Sequence, residues 1–267
     1  MTTHLPSGIW PVMLTAFNSD HSLDLPGISE LTDWYIASGA HGLFAVAQSS
    51  EMFALSVSER LQLAAHVVAK AKDVPVVAAG AFAPTIKEQA ELVKELYQTG
   101  VKAVILLTNQ FANEHEDDKV WKDNLSQLLE LTNDIPLGLY ECPKPYKRIL
   151  SPELLGWCAQ SSRFVFHKDT CLQEVQIKEK IQVTRGTPLK FYNAEMSSLL
   201  FSLQAGGNGF SGIAANLYPE VIVWLYEHFQ THPNIAQRLQ YFLRVAEYLV
   251  ENRYPTSAKY FLKTTGS

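Results

Sequence analysis

The sequence predicts an α/β protein, a (β/α)₈ barrel with additional C-terminal helices, and three observations lead to this prediction. Short apolar or β-branched runs recur at intervals of roughly thirty residues, and each gap between them has helical periodicity. Most of these runs are apolar throughout, as in parallel strands that are covered on both faces. The chain has 267 residues, close to the roughly 250 of one such barrel. We therefore expect a single barrel domain over residues 1–267.

Eight runs are predicted to be strands. In chain order they are 8–14, 42–46, 74–79, 103–107, 137–140, 164–167, 190–192 and 209–210. Because a helical segment separates each run from the next, the pattern favours repeated βα units and a parallel sheet over hairpins.

Several helices have recognisable ends. Ser56 and Thr85 each stand three residues before a glutamate, which is the pattern of a capping box. Gly100 is placed to end the second of these helices. Ser151 precedes Pro152, a residue that is favoured at the first position of a helix.

Beyond the eighth strand the chain has more helix than a minimal barrel needs. Segments 217–230, 235–252 and the residues after Pro255 have helical character, so we expect a C-terminal helical extension over about 217–267. The glycine-rich segment 206–212 suggests a phosphate cup, which barrels often form near their last strands. A helix end that leads into strand eight explains the same glycines at less cost.

Composition excludes several classes of partner. Apolar residues make up 47% of the chain, charged residues 18%, and the formal net charge is −5, so we expect neither nucleic acid nor a membrane surface as a partner. No apolar run approaches the roughly 18 residues that a membrane-spanning helix needs, and the N-terminus lacks a leader pattern. Three cysteines without disulfide or metal-clip spacing favour a reducing, cytoplasmic location.

No cofactor or metal ion is expected. The sequence has neither a GxGxxG turn after a strand nor a P-loop. Acidic residues cluster at 114–118, but partners at metal-ligand spacing are lacking, and a solvated loop that begins a helix is the favoured interpretation.

Lys168 is the most informative residue, because it directly follows a buried strand and should point into the barrel mouth, where such enzymes react. Partial desolvation there would lower its pKa and leave some neutral amine able to attack a carbonyl. A lysine that reaches solvent, or that pairs with Asp169, is the structural alternative.

Two other strand ends complete a candidate site. Tyr140 ends the fifth strand, and its hydroxyl could transfer protons beside an amine; alternatively, it is a core tyrosine. The loop of Gln48, Ser49 and Ser50 offers hydroxyl and backbone N–H groups that could hold a carboxylate; alternatively, it is a polar loop whose serines cap the chain.

Short motifs along the whole chain resemble those of one family. They are 14–17 (LTAF) for its TPF, 47–51 (AQSSE) for its GTTGE, 139–143 (LYECP) for its YNxP, 167–170 (HKDT) for its IKE(A/T), and 206–209 (GGNG) with 215–216 (AN) for its GGxG and (A/S)N. Together they resemble the dihydrodipicolinate synthase and N-acetylneuraminate lyase family of class I aldolases.

The resemblance implies a Schiff-base lyase that acts on pyruvate or another 2-oxo acid. Lys168 would form the imine, and Tyr140 would move the protons. Gln48, Ser49 and Ser50, together with Ser211, would bind the substrate. The resemblance also implies a homodimer or homotetramer.

Three departures from the family pattern bear on the reaction. Gln48 replaces a hydroxyl residue, Phe111 replaces a tyrosine that the synthase shares across its dimer, and Pro145 replaces an arginine that grips the second substrate. A sugar-acid aldolase or dehydratase is therefore favoured. The lysine-pathway synthase, a non-catalytic 2-oxo-acid-binding protein and, more weakly, a phosphate-dependent barrel enzyme are the alternatives. The cations of Lys147 and Arg148 are candidates to meet an acid group of the substrate.

Overall fold

A computed structural model describes residues 4–265 as a barrel of parallel strands surrounded by helices. The strands are β1 (Gly8–Ile9), β2 (Leu43–Phe44), β3 (Val76–Ala78), β4 (Ala103–Leu107), β5 (Leu137–Tyr140), β6 (Phe164–Asp169), β7 (Lys190–Asn193) and β8 (Gly209–Phe210). The helices are α1 (Leu25–Ala37), α2 (Val57–Ala71), α3 (Ile86–Gln98), α4 (Asp118–Leu131), α5 (Pro152–Gln160), α6 (Glu174–Thr184), α7 (Leu199–Gln204), α8 (Pro219–His228), α9 (Pro233–Glu251) and α10 (Thr256–Thr265).

The strands pair in parallel in the order β1-β8-β7-β6-β5-β4-β3-β2, and a bridge between Val12 and Phe44 closes the ring. The predicted (β/α)₈ barrel is confirmed. The first strand is shorter than the predicted run 8–14, because Pro11 has no N–H to donate and interrupts the ladder.

The predicted helix signals match the observed ends. Ser56 and Thr85 form capping boxes with Glu59 and Glu88, and the Ser151 hydroxyl accepts a hydrogen bond from the N–H of Leu154. These contacts satisfy N–H groups that have no partner inside the helix.

Aromatic side chains fill the barrel interior. The rings of Phe166 and Tyr192 stack with centroids 4.2 Å apart, and Trp10 meets Phe166 edge-on at 5.3 Å. Phe44 approaches Phe166 at 5.9 Å and Tyr140 at 6.1 Å. This packed layer forms the floor beneath the carboxyl ends of the strands.

The glycine-rich segment before β8 is a helix end followed by a close strand contact. Gly206 follows α7 with φ +98°, and a Cβ at Gly209 would lie 1.8 Å from the carbonyl oxygen of Gly8. Both positions therefore need glycine for backbone reasons, as the helix-end interpretation predicts.

The C-terminal helices pack against the β7 and β8 end of the barrel. Gln240 of α9 accepts a hydrogen bond from the backbone N–H of Leu200 at 2.7 Å, and Leu243 is fully buried. Ala258 and Leu262 of α10 pack with Leu14 and Leu217. Within residues 4–265, none of the helices is both long enough and apolar enough to span a membrane.

Candidate active site

Tyr140 and Lys168 lie side by side at the barrel mouth because their Cα positions are paired across β5 and β6. The Nζ atom of Lys168 lies 4.4 Å from the centroid of the Tyr140 ring and 5.7 Å from that of Phe44. The amine thus rests against the faces of two aromatic rings above the barrel floor.

Lys168 is buried, with 4% of its surface exposed. Among residues 4–265 its Nζ has neither a hydrogen bond nor an ion pair. Burial lowers its pKa to about 8, although nearby acidic groups, including Glu195 and Glu247, partly offset this effect. About one-tenth of the amine is therefore neutral at pH 7, and this neutral form is the one that can attack a carbonyl.

Asp169 does not pair with Lys168. Because side chains alternate along β6, the Asp169 carboxylate faces outward, where its Oδ2 lies 2.6 Å from the Nζ of Lys180. Glu141, next to Tyr140, also faces outward, with its Oε1 2.5 Å from the same ammonium. Neither solvent exposure nor pairing with Asp169, the structural alternatives for Lys168, is found.

We call Glu141, His167, Asp169 and Lys180 the outer ion cluster; all four are fully buried. One ligand atom from each of Glu141, His167 and Asp169 lies within 4.8 Å of the others, a spacing that could hold a metal ion. The ammonium of Lys180 is bonded to both carboxylates and supplies the positive charge at this position. The cluster anchors the two strands that carry Tyr140 and Lys168.

The Tyr140 phenol is enclosed and remains protonated. Burial is the main reason that its pKa lies well above the usual value, and the neighbouring Cys142 raises the pKa further. A protonated phenol beside a neutral amine can donate a proton to an oxygen that leaves the carbon under attack.

The loop after β2 brings two of its three candidate residues to the cavity. Gln48 and Ser49 line the space above Lys168. Ser50 does not line it: its hydroxyl lies 2.8 Å from the carbonyl oxygens of Met13 and Ala45 and accepts the N–H of Ala47. Ser50 thus fastens the loop to the barrel, which corrects the expectation that its hydroxyl faces the substrate.

Ser211 directly follows β8 next to the cavity, whose lining includes Gly212 but not Ser211. Its hydroxyl is fully buried and has no hydrogen-bond partner among the described residues. Its N–H donates to the carbonyl oxygen of Asn193 at 2.8 Å.

The two candidate cations of the loop after β5 point in different directions. Lys147 lines the cavity and donates to the carbonyl oxygen of Thr170 at 2.6 Å. Arg148 points to the outside, where it pairs with Asp118 at 2.8 Å. The expectation that both cations face the substrate is therefore wrong for Arg148. Phe111 is also turned away from the cavity, buried against Trp121 with ring centroids 5.7 Å apart.

The sequence motifs do not predict the roof of the cavity. The cavity measures about 470 Å³, and its lining includes Glu247, Glu251 and Tyr254, from α9 and the residues just beyond it, together with Glu195. Burial, with the charge of Glu195, raises the pKa of Glu247 to about 8, and burial raises that of Glu195.

A signal for the roof does exist in the sequence. Ala236, Gln240 and Leu243 recur at helical spacing on the inward face of α9, and Glu247 continues the same face. A carboxyl group on an otherwise inward-facing stripe indicates a polar site beneath the helix.

The chain is similar in sequence to one family of known proteins. A sequence model of the dihydrodipicolinate synthetase family matches residues 5–267. The 4-hydroxy-tetrahydrodipicolinate synthase of Methanosphaerula palustris is 26% identical over 83% of this chain and 76% of its own length.

Solved structures share the fold. The dihydrodipicolinate synthase from Bacillus anthracis superposes with a TM-score of 0.88 at 22% identity, covering 97% of this chain and 88% of that one. The chloride-inhibited dihydrodipicolinate synthase from Acinetobacter baumannii, complexed with pyruvate, gives 0.86 at 21% identity, covering 97% and 89%. At these identities the structural likeness establishes the barrel fold alone.

Proposed function

The chain belongs to the dihydrodipicolinate synthetase family and is a lyase of that family, and from this premise we propose that Lys168 forms a Schiff base with a 2-oxo acid. The proposal rests on one observation above the others: a buried lysine that has no ion pair among residues 4–265, and whose pKa is lowered to about 8, lies against the ring of a protonated tyrosine.

The proposed reaction begins when the neutral amine of Lys168 attacks the 2-oxo carbon and forms a carbinolamine. The carbinolamine hydroxyl takes a proton, which Tyr140 supplies, and leaves as water to give the imine. The imine draws electrons from the adjacent carbon, so that a carbon–carbon bond can form or break there, or a hydroxyl can be eliminated. Water then hydrolyses the imine and restores the amine.

The substrate's carboxylate is assigned to the loop after β2. Ser49, with the neighbouring Gln48, is the favoured anchor, since both line the cavity above Lys168. Ser211 is retained as a further candidate, because its buried hydroxyl, which has no partner among the described residues, can turn toward a ligand in the neighbouring cavity. Pyruvate, which is bound in the Acinetobacter baumannii synthase, is the first 2-oxo acid to test.

For the second half of the substrate, the cavity wall favours a hydroxylated chain. Glu195 and Glu247 both face this space, and carboxyl groups accept hydrogen bonds from several hydroxyls. A sugar-acid aldolase or dehydratase is therefore preferred. The lysine-pathway synthase remains the second candidate, because the curated relatives carry that name.

Borohydride trapping tests the central step. Reduction in the presence of pyruvate should fix the three-carbon acid on Lys168, and peptide mass mapping should find the adduct there. Lys168→Met should abolish the adduct, whereas Lys144→Met, which removes another lysine of the cavity wall, should retain it. The proposal fails if wild-type protein forms no adduct or if the adduct persists in Lys168→Met.

A 2-oxo-acid-binding protein without turnover is the rival within the same pocket. Such a protein would form the adduct yet would convert none of a panel of 2-oxo sugar acids, nor pyruvate with aspartate semialdehyde. Turnover of any member of the panel decides for the lyase.

We also propose that the chain assembles as a homodimer or homotetramer. An apolar row on the outer face of α9 supports this, with Tyr241, Val245, Tyr248 and Leu249 between 60% and 75% exposed. Sedimentation at micromolar concentration should give a multiple of the 29.9 kDa chain, and Leu249→Glu should shift it toward the monomer if this row is the interface.

A cytoplasmic location is the remaining part of the proposal. Cys142, Cys158 and Cys171 are all buried as free thiols, as is usual in a reducing compartment. Fractionation of the source cells is the direct measurement.

A further inference from the structure

A chain of side-chain hydrogen bonds enters the cavity from the C-terminal part of the protein. The Tyr254 hydroxyl lies 2.8 Å from the Ser49 hydroxyl, and the Asn216 Nδ2 lies 2.6 Å from the Tyr254 oxygen. Behind Asn216, its Oδ1 lies 2.6 Å from the Tyr35 hydroxyl. Ser49 and Tyr254 line the cavity, whereas Asn216 and Tyr35 are fully buried behind it.

The direction of this chain is fixed at Asn216. Its Nδ2 also lies 2.8 Å from the carbonyl oxygen of Val12, which can only accept. The amide nitrogen must therefore face Val12, and the amide oxygen faces the Tyr35 hydroxyl, which donates to it. No alternative orientation of the amide satisfies both neighbours.

The orientation of the Asn216 amide determines which hydroxyl donates and which accepts in the rest of the chain of hydrogen bonds. Because Nδ2 has only hydrogens to offer, the Tyr254 oxygen accepts from Asn216 and sends its single hydrogen to Ser49. The Ser49 oxygen accepts that hydrogen. Ser49 is 3% exposed, and within residues 4–265 its own hydrogen has no acceptor. That hydrogen is left for a group in the cavity.

We propose that Tyr254 is a positioning residue that turns the Ser49 hydroxyl into a dedicated hydrogen-bond donor for the carboxylate of the bound 2-oxo acid. This inference rests on the proposed function, since it names how that site selects an anionic group. Neither Tyr254 nor Asn216 needs to touch the substrate: Asn216 orients Tyr254, and Tyr254 orients Ser49.

The protonation of Tyr254 supports this arrangement. Burial raises its pKa above the usual value, so the phenol keeps its hydrogen over the working pH range. A hydroxyl that already accepts one hydrogen bond is polarised and donates more strongly, which favours a charged acceptor over a neutral one.

The experiment compares pyruvate with methyl pyruvate, which has the same oxo group but no charged carboxylate. Borohydride trapping on Lys168 is measured over a range of ligand concentrations for wild type, Tyr254→Phe and Ser49→Ala. Tyr260→Phe is the matched control, because Tyr260 lies on α10 with 69% of its surface exposed.

Tyr254→Phe should raise the half-saturating concentration of pyruvate about tenfold, in line with a hydrogen bond to a charged group. It should leave the maximal trapping rate and the values for methyl pyruvate nearly unchanged. Ser49→Ala should weaken pyruvate binding with the same selectivity. The double variant of Tyr254→Phe with Ser49→Ala should bind pyruvate only slightly more weakly than Ser49→Ala alone, because both residues act through the same hydroxyl hydrogen of Ser49.

Equal weakening of both ligands by Tyr254→Phe, or no weakening of either, overturns the inference. So does a full additional loss in the double variant. If Tyr254→Phe fails to fold, Ser49→Ala decides alone. Equal weakening of pyruvate and methyl pyruvate by Ser49→Ala would show that the Ser49 hydroxyl does not donate selectively to the carboxylate, and the inference would fail. Absence of any Lys168 adduct in wild type would instead refute the proposed function, so the two failures are distinguishable.

Discussion

Asp169 pairs with Lys180 at 2.6 Å on the outer side of β6, while Lys168, the residue before it, faces the cavity on the inner side. The acid nearest in sequence to the candidate nucleophile is thereby prevented from holding it as an ammonium ion. The outer ion cluster thus has an electrostatic role in addition to its role as an anchor.

Removal of the central cation should destabilise the barrel strongly. Burial opposes a charged Lys180, but Glu141 and Asp169 raise its pKa above the usual value. Lys180→Met would leave both carboxylates buried without a counter-ion, a loss of about 3–5 kcal/mol. Urea unfolding measures it, with Lys70→Met as control, because the Lys70–Asp33 pair is partly exposed to solvent and should contribute under about 1 kcal/mol. Equal midpoints for the two variants would contradict this account.

Adduct formation should depend on pH through Lys168. Its pKa is lowered to about 8 in the folded protein, so the neutral amine that reacts is lost as the pH falls below that value. At pH 7 only about one-tenth of the amines are neutral, and the trapping rate should rise nearly tenfold per unit before it levels off above pH 8. Cyanoborohydride trapping from pH 5.5 to 9.5, at saturating pyruvate, gives the profile.

The neighbouring carboxylate should move that profile. Glu195 raises the Lys168 pKa because its negative charge favours the ammonium. Glu195→Gln removes the charge, so the midpoint should shift to lower pH. A midpoint that is unchanged, or that moves upward, would contradict an effect of the Glu195 charge on Lys168.

Tyr140→Phe should separate chemistry from folding. The phenol's side-chain hydrogen-bond partner is the thiol of Cys142, and a thiol forms only weak hydrogen bonds, so loss of the phenol hydroxyl should change the melting temperature little. Loss of the proton donor should slow turnover about 10²–10⁴-fold. Rates with the best substrate of the sugar-acid panel and a thermal melt are the two measurements. A large drop in melting temperature would mean that the hydroxyl is structural.

Gly209→Ala should prevent proper closure of the barrel. The added Cβ would lie 1.8 Å from the backbone oxygen of Gly8, and the φ of +155° is unfavourable for alanine. Gly186→Ala is the matched control: it also has a positive φ, but nothing lies within 4 Å of the added carbon. We expect a loss of about 1 kcal/mol for the control and a much larger loss, or insoluble protein, for Gly209→Ala. Similar melts would refute the close contact.

The sequence predicts the part of the site that follows from strand order. Lys168, Tyr140 and Gln48 end or follow buried strands, and the ends of parallel strands meet at one rim, so their proximity is set by topology. Glu247 and Tyr254 come from α9 and its connection to α10, whose path over the rim depends on tertiary packing. The inward-facing stripe of α9 indicates a polar site beneath this helix, but it does not indicate over which part of the barrel the helix passes.

The sequence also does not predict which way the side chains of the loops point. Ser49 and Ser50 are chemically alike neighbours, yet one lines the cavity and the other bonds to Met13 and Ala45. Lys147 and Arg148 divide in the same way, because Asp118 is within reach of Arg148. Such choices depend on partners that are distant in sequence.

Because side chains alternate between the two faces of β6, the position of the Lys168 amine depends on the number of residues in the strand. His167, Lys168 and Asp169 point out, in and out, so a one-residue insertion earlier in the strand would exchange their environments. An acid or an imidazole would then occupy the mouth, and the amine would enter the outer ion cluster. An odd-numbered insertion or deletion in β6 would therefore remove the amine from the mouth in a single step.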